Sequence, residues 1–186
     1  MTSTFDLIPL QFPATFTLGS ETIEAASVYD IPEVVPLTWA PVRQREYRAG
    51  RALAHALAAR EGIVLGELAT ASDRTPIWPD ALVGSISHSR ARVFVALGRA
   101  SLYRCLGLDI EPFGSVTPDL FDLLFVAEER SAITQGLAPT LLFCCKEAVY
   151  KAVYPSSGQY FDFHDLRVTV EGDHFSAQPS GKKVLA

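Results

Sequence analysis

FCCKEAVYKAV, residues 143–153, sets Lys146, Glu147 and Lys151 inside an otherwise apolar and aromatic run. At helical spacing Glu147 and Lys151 are i and i+4 and share a face. Read as a surface ion pair, they contribute about 0.2–0.5 kcal/mol. Their neighbours point elsewhere. Leu141, Cys145, Ala148, Val149 and Ala152 form the main apolar stripe, while the face with Glu147 and Lys151 also carries Phe143, Tyr150 and Tyr154. A solvated face seldom sets aromatics around its sole carboxylate, so this face is expected to line a cleft.

Working outward, Pro41 precedes a helix expected over 42–61, with Tyr47, Leu53, Ala54, Leu57 and Ala58 at helical spacing and Gly62 as the stop. SDRTPIWPD (72–80) reads as a loop. VGSISHS (83–89) is small and polar towards its end. ARVFVALGRA (91–100) and LYRCLGLDI (102–110) read as two strands joined near Ser101. Helices are expected near 118–135 and 139–154, then a hairpin over 165–172 and 174–180 turning at Gly172-Asp173. Five prolines in residues 1–41 and stretches such as TFTLG suggest short strands and turns before the first helix. Helix followed by hairpin thus occurs twice. The chain is expected to be α+β, with two similar halves and a seam near 101–112.

Three further stretches carry chemistry. In LDIEP (108–112), a strand would point Asp109 and Glu111 to one side, about 6.6–6.8 Å apart along the chain. Two carboxylates so placed are either a strand end at the surface or a site for a shared cation. Oxygen ligands of this kind suit Mg²⁺, which draws the rest of its shell from water and substrate phosphate. If Glu147 folds beside them, three carboxylates converge. In GSISH (84–88), the glycine permits close backbone approach. Ser85, Ser87 and His88 are possible donors to phosphate, or simply the polar groups of a turn. The helix at 42–61 holds Arg43, Arg45, Arg48, Arg51 and Arg60, five of the 16 basic residues, and Arg43, Arg48 and Arg51 share one broad side. That side is a solvated basic face or an anion grip, for which the planar guanidinium is suited. Arg74 is a further candidate.

Composition narrows the possibilities. The 186 residues are 48% hydrophobic, enough for an ordinary core. The net charge of −5 argues against a general nucleic-acid binder, which needs a basic footprint. Cys105, Cys144 and Cys145 suggest no disulfide framework, and the four histidines show no zinc-like spacing. The N-terminal residues lack a basic leader pattern, and no uncharged apolar run is long enough to span a bilayer. A cytoplasmic protein without membrane attachment is expected.

GSISH, GLDIE and KEAVYK, in that order, resemble the 4′-phosphopantetheinyl transferases, and RAGRALAHAL and RTPIWP resemble the branch with the enterobactin-synthase-type enzymes. The resemblance runs from about residue 43 to 155 and is weaker in the first forty residues. It implies a pseudo-twofold α+β monomer, with residues 1–105 as a nucleotide-gripping half and 106–186 as the half bearing the metal and catalytic carboxylates. It also implies transfer of the phosphopantetheine arm of coenzyme A to a serine of an apo acyl or peptidyl carrier protein, leaving adenosine 3′,5′-bisphosphate. By motif position, Asp109, Glu111 and Glu147 would hold Mg²⁺, and Glu147 would also serve as base. Lys151 would contact the departing phosphate, and Lys146 would lie along pantetheine or phosphate. Arg43, Arg51, Arg74, Ser87 and His88 would grip the nucleotide. The chain departs from the pattern at Cys144-Cys145, where serine or alanine is more usual, at Ser89, where cysteine is common, and in a short stretch between Glu111 and Lys146. Two other readings fit parts of the sequence: a non-catalytic module that binds coenzyme A and a carrier protein, and a generic Mg²⁺-dependent phosphotransferase or nuclease.

Overall fold

A computed structural model describes residues 16–180. The part of the N-terminal reading that concerns residues 1–15 lies outside them. Strand β1 (Phe16–Thr22) leads into a one-turn helix α1 (Ile23–Ala26), and then α2 (Pro41–Arg60), β2 (Leu82–Ser89) and β3 (Arg92–Arg99) follow. Beyond the seam come α3 (Phe121–Leu124), α4 (Ala127–Thr134), α5 (Pro139–Ser157), β4 (Leu166–Glu171) and β5 (His174–Pro179). Both sheets are antiparallel: β1-β3-β2 in the first half and β4-β5 in the second. The protein is α+β.

The two long helices begin as their sequences dictate. Pro41 and Pro139 each stand in the first turn, where the missing N–H costs nothing. Helix α5 runs three residues past the expected end, through Pro155, and closes at Gly158 in the left-handed conformation. The β4–β5 turn falls where expected, with Gly172 at φ +61°. Sheet β1-β3-β2 packs on α2 through Ala54, Leu57, Leu82, Val95 and Leu97, among others. A separate apolar cluster, including Phe125, Leu142, Cys145, Phe161, Leu166 and Val168, fills the second half.

Two expectations are corrected. LYRCLGLDI is not a strand: residues 102–110 make no ladder, and the hairpin partner of β3 is 82–89 instead. Both edges of β3 are already taken, by β1 on one side and β2 on the other. Instead Tyr103 packs on Gly98 of β3, Gly107 abuts α5, the Leu108 N–H bonds Ser85 of β2, and Leu102 is exposed. The apolar stripe of α5 also turns: Leu142 is fully buried while Leu141 is 44% exposed, and Lys146 joins the buried side.

Candidate functional site

Residues 102–110, the segment that crosses from β3 towards α5, lie against helix backbone at Gly107. A Cβ added at Gly107 would come within 1.8 Å of the Ala148 carbonyl oxygen and 2.8 Å of the Ala152 nitrogen. Only glycine permits this approach, and a helix carbonyl cannot swing aside as a side chain could. Gly107→Ala is therefore expected to destabilise the protein by about 1–3 kcal/mol. Separation of Asp109 from α5 should accompany the loss, seen as a lower urea midpoint together with a changed near-ultraviolet circular dichroism spectrum.

Strand β2 fixes the same segment from the other side. Ser85 and Ser87, two residues apart, point to one face and are both buried. Ser85 Oγ accepts from the Leu108 N–H at 3.0 Å, and Ser87 Oγ donates to Asp109 Oδ1 at 3.0 Å. Lys151, reaching from α5, donates to Asp109 Oδ1 at 2.6 Å and to Ser87 Oγ at 3.1 Å. Asp109 is thus clamped between the halves, its side chain 6% exposed. Its second oxygen, Oδ2, is buried and has no hydrogen-bond partner. This corrects the expectation that Ser87 binds phosphate: its hydroxyl is committed to Asp109 and Lys151, because strand alternation turns it inward.

Glu147 and Glu111 stand near this clamp. Burial, then the charges of Asp109 and Glu111, push the Glu147 carboxyl above its ordinary range, and Lys151 opposes them. Glu111, on the exposed side of the segment, is raised by desolvation and by Asp109, against the pull of Lys151. Cys144 completes the neighbourhood. Burial first, then the Asp109 charge and hydrogen bond, push its thiol up to about 12. The three carboxylates share one electrostatic environment, yet among the described residues no three His, Cys, Asp or Glu side chains gather tightly enough to hold a metal ion by themselves. The expected three-carboxylate convergence is looser than the sequence suggested, because Asp109 and Glu111 do not sit on a pleated strand.

Two cavities flank the cluster, with Tyr150 lining both. One, of about 240 Å³, is walled by Glu147, Tyr150, Tyr160, Phe161 and Phe163. The other, of about 200 Å³, is bounded by Arg74, Trp78, Gly84, Ser85, Lys151 and Tyr154. Tyr150 stacks on Tyr154 at 5.0 Å, and both line the second cavity together with Asp73 and Arg74 of the loop. Arg74 holds a positive φ of 74°.

The predicted basic residues divide. Arg43 donates to His88 Nε2 at 2.8 Å and pairs with Glu46 at 3.3 Å. Burial lowers the His88 pKa, against the pull of Glu46, and an unprotonated Nε2 is what accepts from Arg43. Arg51 is held inward, with its guanidinium 4.3 Å from the Tyr47 ring centroid and 2.9 Å from Thr70 Oγ1. Lys146 is the clearest correction. It is 2% exposed, and its Nζ bonds the carbonyls of Leu124, Phe163 and Leu166 at 2.6–3.0 Å and Glu129 at 2.7 Å. The helical turn that aims Glu147 at the cleft rotates its predecessor into the core, so Lys146 braces the protein rather than a ligand. Glu46, Gly107 and Glu129 escaped the sequence reading. For Gly107 the signal lay within the quoted GLDIE; for Glu46 and Glu129 none set them apart from surface acids.

A family model for the 4′-phosphopantetheinyl transferase N-terminal domain matches residues 38–98, and one for the 4′-phosphopantetheinyl transferase superfamily matches residues 105–180. The chain belongs to the 4′-phosphopantetheinyl transferase family. It is 29% identical to the 4′-phosphopantetheinyl transferase PptT of Mycobacterium tuberculosis over 77% of this chain and 66% of that protein. It is 33% identical to the 4′-phosphopantetheinyl transferase Svp of Streptomyces mobaraensis over 72% of this chain and 57% of the relative. With enterobactin synthase component D of Salmonella typhimurium the identity is 36%, over 59% and 48% respectively. The chain therefore spans roughly half to two thirds of the length of these curated relatives. Among the described residues no helix is long and apolar enough to cross a membrane.

Proposed function

We propose that this chain transfers the 4′-phosphopantetheine group of coenzyme A to a serine of an apo acyl or peptidyl carrier protein and releases adenosine 3′,5′-bisphosphate. The observation that carries this reading is Asp109. It is a carboxylate clamped by Ser87 and Lys151, with one oxygen buried and unpartnered beside Glu147, and two cavities flank the cluster. Family membership supplies the reaction class.

Residues Asp109, Glu111 and Glu147 fit Mg²⁺. A buried carboxylate oxygen without a partner is an uncompensated acceptor, and the Glu147 and Glu111 carboxyls, raised first by desolvation, also feel the Asp109 charge. One or two carboxylates suffice for this ion when substrate phosphate completes its shell, so looser convergence is compatible with it. When bound, Mg²⁺ offsets negative charge on the pyrophosphate.

The chain's own groups do the rest. The cavity with Arg74, Trp78 and Lys151 receives the nucleotide, and the aromatic cavity beside Glu147 receives the pantetheine arm. Arg43 and His88 extend the anion-binding side, with Arg51 behind them. Glu147 takes the proton of the carrier serine, directly or through water. The serine oxygen forms a bond to the phosphorus that carries pantetheine, and the bridging P–O bond to the nucleotide breaks. Lys151 donates to the phosphate that leaves.

The same reading makes the chain a pseudo-twofold protein divided at 105/106, supported by apolar clusters that each lie within one half and by family models that meet near that point. It would act as a cytoplasmic monomer, away from nucleic acid and membranes, in keeping with its net charge of −5. Incubation with coenzyme A, Mg²⁺ and a panel of apo-carriers, followed by intact-mass measurement, tests the proposal. A gain of one phosphopantetheine is expected; no gain on any acyl or peptidyl carrier would refute it.

A further inference from the structure

We propose that Thr70 is a positioning residue: its hydroxyl, held from α2 by Arg51 and Tyr47, fixes the hairpin that presents Arg74 to the second cavity. Arg51 Nη2 donates to Thr70 Oγ1 at 2.9 Å, and the Tyr47 hydroxyl stands 3.2 Å from the same oxygen. Tyr47 and Arg51 are i and i+4 of α2, so they share a face, and both are buried. The guanidinium also lies over the Tyr47 ring. Arg51 Nε is buried without a hydrogen-bond partner, so removal of the Thr70 oxygen would leave still more of that cation unsatisfied.

Beyond Thr70 the chain doubles back. Thr70 and Pro76 form an antiparallel bridge, the Ala71 N–H donates to the Thr75 carbonyl at 2.9 Å, and the Ile77 N–H donates to the Ala69 carbonyl at 2.9 Å. Arg74 sits at the tip, its N–H bonded to the Ala71 carbonyl. Its φ of 74° is one that a non-glycine residue keeps only where its surroundings over-determine it. Asp73 Oδ1 helps by accepting from the Thr75 N–H and hydroxyl. Asp73, Arg74, Thr75 and Pro76 all border the cavity that Trp78 and Lys151 also line. The root of the hairpin on α2 thus sets where its tip stands. Only the consequence for coenzyme A rests on the functional reading above.

Thr70→Val keeps the shape of the side chain and removes the oxygen. Hydrogen exchange of the full chain, followed by mass spectrometry, should show the amides of 69–77 exchanging about tenfold faster or more, with β2 and β3 at parental rates. Thr70→Ser, which keeps the oxygen, should restore the parental rates. Titration calorimetry should find coenzyme A affinity lowered by about tenfold in Thr70→Val, and no such loss from the same change once Arg74 is alanine. Tyr47→Phe repeats both comparisons, with smaller losses, should the valine variant not fold. Unchanged hairpin exchange, a loosening that Thr70→Ser shares, or an affinity loss of equal size with and without Arg74 would overturn the proposal. Carrier mass gain is scored separately. A chain that modifies its carrier while the hairpin stays tight in Thr70→Val refutes this inference alone. A hairpin that loosens as expected, in a chain that neither binds coenzyme A nor modifies any carrier, refutes the transferase reading alone.

Discussion

Glu147→Gln is expected to cut carrier modification by about a hundred- to ten-thousandfold, the usual contribution of a positioned base, and to raise the melting temperature at neutral pH. The first effect follows from the missing proton acceptor beside the clamped Asp109. The second follows from linkage. A carboxyl whose folded-state pKa is raised binds its proton more tightly in the native state. That advantage is present below the unfolded value and disappears as pH rises through the raised one, so ionised Glu147 burdens the fold at neutral pH. Glutamine removes the burden. The stability difference between variant and parent should therefore grow with pH just above the ordinary glutamate range and then stay constant. Calorimetry across that window, beside the mass assay, checks both halves. A variant that transfers at the parental rate, or that melts lower at neutral pH, contradicts the assignment.

Lys146→Met is expected to cost about 3–5 kcal/mol, because it strands Glu129 as a buried charge without its cation. The loss spreads, since Glu129 also accepts from the Val126 and Val168 N–H groups and Lys146 joins three carbonyls. Adding Glu129→Gln should return part of the lost stability by removing the orphaned charge. Urea unfolding of both single variants and the double variant checks this. Additive losses would mean that the two groups are not coupled as the geometry implies.

The long helices were legible because proline, glycine and a 3.6-residue period agree at their boundaries. The second hairpin was legible because Gly172-Asp173 leaves little choice of turn. The first hairpin was mispaired because the periodicity of 102–110 cannot distinguish a strand in a ladder from an extended segment pressed between a sheet and a helix. In the site, KEAVYK located Glu147 and Lys151 on one face correctly. The same helical geometry that turns Glu147 to the cleft buries Lys146, but its neighbours come from Leu124, Glu129, Phe163 and Leu166, which no local pattern connects. Ser87 was misjudged for a related reason: a hydroxyl near a phosphate motif reads as a ligand until the fold shows Asp109 facing it.

The Asp109 clamp draws Ser85 and Ser87 from one side of the crossing and Lys151 from the other. Divided at that crossing, each fragment would keep its own oil-filled interior, yet neither would inherit the polar knot. Recombination that exchanged one portion of the gene would therefore conserve what it brought only if the incoming serines and lysine still met across the join.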